Sequence, residues 1–101
     1  MHARIARFEG DPSRIDQAID AVRGQIESQW DSPPEGLENV KQVWMLVNRE
    51  TGEGVGLTLY ETEEDLRRGD EALNAMSPPD PEASGERTNV SFYEVALRRE
   101  R

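Results

Sequence analysis

The stretch from Gln42 to Tyr60, QVWMLVNRETGEGVGLTLY, restricts the fold of this chain more than any other. Two apolar runs flank Glu50-Thr51-Gly52. A three-residue hairpin loop there, with Gly52 in the left-handed position, would pair Arg49 with Glu53 and Val47 with Val55. Side chains alternate across a strand, so this register gathers Val43, Met45, Val47, Val55, Leu57 and Leu59 on one face. It sets Trp44 and Leu46 beside Tyr60, Thr58 and Gly56 on the other. One face is wholly aliphatic, and the other mixes aromatic, polar and glycine positions. A sheet face open to water is ordinarily polar, so both faces are expected to be covered. Helices can cover one face and a second copy of the chain the other, which makes a homodimer the expected assembly.

The chain has 101 residues, 35% of them hydrophobic, which suits one domain spanning residues 1–101 with a modest core. Its 21 acidic and 12 basic residues leave a net charge of -9. That charge opposes a phosphate backbone and an anionic lipid surface, so neither nucleic acid nor membrane is an expected partner. No run approaches the ~20 apolar residues of a membrane span, and Met1 to Ile5 read as a strand rather than the start of a signal sequence. The absence of cysteine removes disulfides and thiolate chemistry, and a cytoplasmic location is expected.

The elements follow in order. His2 to Phe8 is a strand, and Asp11-Pro12 supplies a cap and a first-turn proline. A helix then carries Ile15, Ala18, Ile19, Val22 and Ile26 on one stripe that Trp30 continues. Asp31 to Gly36 breaks that pattern before the hairpin. Thr62, three residues ahead of Asp65, opens a second helix with Leu66, Gly69, Leu73 and Met76 inside. On its outer side Glu63 and Glu64 precede Arg67 and Arg68 by four residues, a favourable order. Residues 78–87, PPDPEASGER, read as a mobile loop, and Asn89 to Leu97 as the last strand. The order βαββαβ is the α+β, ferredoxin-like layout: a four-stranded antiparallel sheet with two helices on one face.

Leu46 to Gly52, followed by Gly56-Leu57-Thr58-Leu59-Tyr60-Glu61-Thr62-Glu63-Glu64-Asp65-Leu66-Arg67, resembles the antibiotic biosynthesis monooxygenase-like family, whose second helix opens on an aromatic-Glu-x-Ser/Thr-Glu-Glu segment. The resemblance implies a dimeric α+β barrel, with a site between sheet and helices in each subunit. Some members oxidise aromatic or quinol-like substrates with oxygen and no cofactor, others degrade haem, and many have no known activity. Haem-degrading members use an Asn on the first strand and a His, whereas HARIARF holds no Asn and the second helix no His. Tyr60 stands at the aromatic place of the cofactor-independent oxygenases, without the polar partner they carry. By the same resemblance the aliphatic hairpin face meets the partner and the Trp44 face forms the ligand site.

The candidate site residues follow from these faces. Trp44 beside Gly56 can wall a ligand, or fill that space itself as core. Tyr60 and Tyr93 carry hydroxyls that can orient a ligand, or be satisfied by the backbone alone. His2 is the one side chain whose ordinary charge change falls near neutrality, which makes it a candidate for proton transfer and, with Tyr60, a candidate catalytic residue, although a residue so near the chain start can equally be solvated. Arg4, on the parity of His2, can stabilise an oxyanion or reach solvent. A single histidine without cysteine gives no ordinary zinc site, and Gly52-x-Gly54-x-Gly56 lies inside a hairpin rather than ahead of a helix, so no metal, nucleotide or other cofactor is expected. Two functions stay open: binding of a compact apolar or aromatic molecule, with cofactor-independent monooxygenase activity as its enzymatic form, or a catalytically silent module with a filled interior.

Overall fold

Asn48 determines how the hairpin closes. In the computed structural model, which describes residues 1–101, its side-chain Oδ1 accepts hydrogen bonds from the backbone N–H of Glu50 and Thr51 at 3.0 and 3.2 Å. Its own N–H donates to the Glu53 carbonyl at 2.8 Å, and its carbonyl accepts from Gly52 N–H at 2.9 Å. The turn therefore spans Arg49 to Gly52, one residue more than the expected loop. Gly52 takes the left-handed conformation as expected, with φ +83°.

That extra residue shifts the pairing by one. Strand β2 (Val40–Val47) runs antiparallel to β3 (Glu53–Tyr60) with Val47 opposite Gly54, Met45 opposite Gly56 and Val43 opposite Thr58. Because side chains alternate, a one-residue slip exchanges the faces of a whole strand. The two faces expected from the sequence are accordingly recombined. Trp44 and Leu46 now share a face with Val55, Leu57 and Leu59, whereas Val43, Met45 and Val47 share one with Gly54, Gly56 and Thr58. A bulge at Lys41 lets Val40 oppose Tyr60 while Gln42 opposes Leu59.

Strand β1 (His2–Glu9) lies between β3 and β4 (Glu86–Glu94), giving a single sheet of order β2-β3-β1-β4, all neighbours antiparallel. This is the ferredoxin-like arrangement. Asp11 caps a single 3-10 turn, Pro12–Arg14, by accepting from Ser13 N–H at 2.9 Å, and α1 (Ile15–Gln29) follows directly. Ile15 and Ala18 on its inner stripe are buried, while Trp30, just past the helix, is 54% exposed. Helix α2 (Glu63–Ala75) is capped by Thr62, whose Oγ1 accepts from Asp65 N–H at 3.1 Å. Of the two expected ion pairs on its outer side, Arg67 meets Glu63 at 2.7 Å, but Arg68 turns to Glu38 at 2.8 Å.

Two boundaries differ from expectation. Within residues 78–87, Asp80 caps a helical turn, α3 (Pro81–Ser84), with Ala83 buried beneath it. Strand β4 starts at Glu86 and ends at Glu94, because its pairing with β1 runs out at His2. Val95 N–H still reaches the Met1 carbonyl at 2.9 Å, and Leu97 is exposed.

Helix α2 is seated on the sheet by Tyr60. The ring is fully buried and lies against Gly69, where a Cβ would overlap the phenol. Alanine in place of a helix-interior glycine ordinarily raises stability by about 0.5–1 kcal/mol. At Gly69 the sign reverses: Gly69→Ala is expected to lower the unfolding free energy by about 1–3 kcal/mol through overpacking, read from urea midpoints. A gain in stability would show that Tyr60 and α2 are not in contact.

Candidate functional site

Only 10 of the 101 residues are buried, which leaves the layer between sheet and helices incompletely filled. The recombined faces explain why. On the helix-facing side, Gly54 and Gly56 contribute no side chains, and β1 adds the small Ala6 between Arg4 and Phe8. A cavity of about 580 Å³ results, walled by Val43, Met45 and Val47 from β2, by Ile15, Ala18, Val22 and Ile26 from α1, and by Leu73 and Met76 beyond. Ligand sites commonly occupy about 300–1,000 Å³, are mainly apolar, and carry a few convergent polar groups.

The polar groups converge from β1, β3, β4 and α2. Arg4 is 5% exposed, and its Nε donates to Asp70 Oδ1 at 2.9 Å. Its Nη2 donates to Asn74 Oδ1 at 3.2 Å, and Arg87 Nη1 donates to the same oxygen at 2.8 Å. Asp70 and Asn74 lie four apart on α2, so one helical face presents both to β1. Directly across the sheet from Arg4, Thr58 Oγ1 is buried with no hydrogen-bond partner. Arg4 is buried in this pair and Asp70 nearly so, and removing one partner of a buried pair costs about 3–5 kcal/mol.

The expected site residues separate into three groups. Arg4 and Gly56 lie on the cavity wall. Tyr60 and His2 share that side of the sheet but stand beyond the wall: Tyr60 is covered by α2, and His2 lies between Tyr60 and Glu94 at the sheet's end. His2 there contributes to lowering the Glu63 carboxyl below its usual value, a shift caused mainly by the hydrogen bond and charge of Arg67. Trp44 and Tyr93 occupy the open face, each 54% exposed. Trp44 borders the cavity only through the main chain of β2, since its indole points the other way and donates to Gln42 Oε1 at 3.0 Å. The expected alignment of Trp44 with Tyr60 therefore does not hold, for the reason of register given above. Thr58, Asn74 and Arg87 were not among the expected residues. The only local sign was the Asp70/Asn74 spacing beside Leu73, and Arg87 is brought in by long-range pairing with Phe8.

No family model and no curated protein matches the chain. Among solved structures, one described as an antibiotic biosynthesis monooxygenase superimposes with a TM-score of 0.55 at 13% identity, covering 97% of this chain and all of that one. The chain shares that fold. A second, Rv0793 from Mycobacterium tuberculosis, superimposes with a TM-score of 0.52 at 14% identity, covering 98% of this chain and 96% of the other. The fold implied by the resemblance of the hairpin and the start of α2 thus agrees with that of the structure described as an antibiotic biosynthesis monooxygenase. No helix is long and apolar enough to cross a membrane.

Tyr60 also provides a pH signature for the packed layer. Burial pushes its phenol above the ordinary value of 10.0, a rise tempered by the Thr58 hydroxyl and by Arg4 and reinforced by Asp70. The unfolded chain releases this proton near pH 10 and the folded one only at higher pH. Stability from the neutral phenol is therefore intact below about pH 10 and lost as pH rises through the folded value. Tyr60→Phe is expected to flatten the fall in unfolding free energy that begins above about pH 10. Near neutrality the variant is expected to be as stable as the parent or up to about 1–2 kcal/mol more so, because Oη is buried without a hydrogen-bond partner. Urea unfolding from neutrality into that alkaline range reads both effects.

Proposed function

We propose that the protein is a homodimeric binding module that holds a compact, largely apolar or aromatic molecule between its sheet and its helices. The observation that carries this reading is the cavity of about 580 Å³, whose floor at Gly56 would place nothing within 4 Å of an added Cβ. A module with its interior filled by its own side chains would lack such a space. The similar structure described as an antibiotic biosynthesis monooxygenase adds an enzymatic version, in which oxygen oxidises the bound molecule without a cofactor. His2 and Tyr60, expected as its catalytic residues, lie beyond the cavity wall, which favours binding over their direct part in catalysis. In the oxygenase version proton loss would rest on the ligand's own acidity, with Arg4 stabilising the anion.

The dimer is supported by the open face of the sheet. Trp44 and Leu46 are about half exposed, and Val55, Leu57, Leu59 and Ile5 extend the same apolar surface across β3 and β1. A contiguous patch of this kind is far more than scattered surface leucines and marks an interaction face.

Two expected outcomes test these parts separately. Gly56→Leu enters open space, so it is expected to leave the fold intact and its stability unchanged or raised, while abolishing the binding of small naphthalene or quinol probes in calorimetry. Unimpaired binding in Gly56→Leu would place the site elsewhere. For the dimer, light scattering at micromolar concentration is expected to give twice the 11.4 kDa chain mass. Leu46→Lys, costing little in a lone subunit because the position is half exposed, is expected to return a folded monomer. A parent protein that scatters as a monomer sinks the homodimer.

A further inference from the structure

We infer that the cavity takes a ligand with a single carboxylate at one end, seated against Arg4, Arg87, Asn74 and Thr58; this rests on the binding function proposed above. Among the wall residues the charged groups are Arg4, Arg87 and Glu53, and Glu53 is exposed at the hairpin end. Asp70 stands behind Arg4, outside the wall, and neutralises one guanidinium. Two arginines against that one carboxylate leave a local charge of +1 (2 − 1) on a chain whose net charge is -9.

The hydrogen-bond inventory points the same way. An arginine carries five N–H donors, and Arg4 uses two of them, on Asp70 and Asn74, leaving three. Arg87 spends one on Asn74, whose Oδ1 thus serves both guanidiniums and whose Nδ2 has no protein partner. Thr58 Oγ1, opposite Arg4, adds a buried hydroxyl that lies near the Tyr60 phenol without completing a hydrogen bond to it. Donors exceed acceptors at this end of an apolar cavity. A planar anion with two oxygens satisfies fork-shaped donors best. A dianion such as a phosphate ester would bring one charge more than the local surplus, against Asp70 and the acidic chain. The apolar remainder of the wall then requires a hydrocarbon or aromatic body behind the acid.

Calorimetry at pH 7 and low salt with 2-naphthoate and 2-naphthamide, which share a ring system and differ in charge, tests this directly. The expected result is that naphthoate binds at least about tenfold tighter, a charge-assisted pair being worth that much in a partly dry site. Arg87→Gln, at an exposed position that the fold tolerates, is expected to remove most of this preference by weakening the acid far more than the amide. Arg4→Lys keeps a cation for Asp70 but loses the fork, and is expected to reduce the preference as well. Gly56→Leu should abolish both ligands. Equal affinities for acid and amide, or a preference indifferent to Arg87→Gln and Arg4→Lys, would overturn the carboxylate seat and leave the cavity as an apolar binding site. Binding of neither compound would overturn the cavity reading and this inference with it.

Discussion

Everything distinctive about this molecule depends on two hydrogen bonds accepted by one amide oxygen. By taking the N–H groups of Glu50 and Thr51, Asn48 Oδ1 stands in for a strand residue and lengthens the turn by one. The strand that carries Trp44 is thereby rotated relative to its neighbour, and the aromatic and bulky aliphatic side chains leave the interior together. What remains inside is Gly54, Gly56 and Thr58 beside Val47, Met45 and Val43. Cavity and open apolar face are thus two results of the same register, and a chain closed one residue tighter would have neither in this form.

The two main helices play unequal parts above this sheet. Helix α2 is fixed by contacts that tolerate little change: the Tyr60 ring against Gly69, and Arg4 against Asp70 and Asn74. Helix α1 supplies mostly aliphatic wall, with Ile15 and Ala18 buried near its start and Val22 and Ile26 only partly so. Packing is therefore firm at the end of α1 held near α3 and sparser toward Gln29. A ligand that touched both helices would add contacts where the protein has fewest of its own, coupling occupancy to rigidity.

Much of the architecture was legible in the sequence because it depends on neighbours a few residues away. Thr62 with Asp65, Asp11 with Pro12, and the stripe from Ile15 to Ile26 each declare a helix through local spacing, and the element order then gives the fold. The faces of the hairpin were not legible, because loops of three and four residues both suit Gly52 and only the Asn48 side chain decides between them. Arg4 and Gly56 lie on the cavity wall, as their faces suggested, because their parity depends on β1 and β3 alone. Trp44 was misplaced because its parity depends on the turn, and Asn74 and Arg87 escaped notice because Asn74 reaches Arg4 only across 70 residues and Arg87 is placed by its pairing with Phe8 on β1, neither of which local spacing shows. The Pro-rich stretch after α2 concealed a capped turn that Asp80-Pro81 could have announced.

The bulge at Lys41 lies on β2, one of the two outermost strands, whose outer edge has main-chain groups without a neighbouring strand. Such an edge invites strand-by-strand addition of further chains, and an irregularity bearing a lysine is a recognised obstacle to it. Lys41 Nζ also lies 3.8 Å from Glu61, setting a charged pair beside that border. On the far side of the sheet, β4 is interrupted where its pairing shifts between Arg7 and Phe8. With both borders irregular, growth into an open-ended ribbon is discouraged.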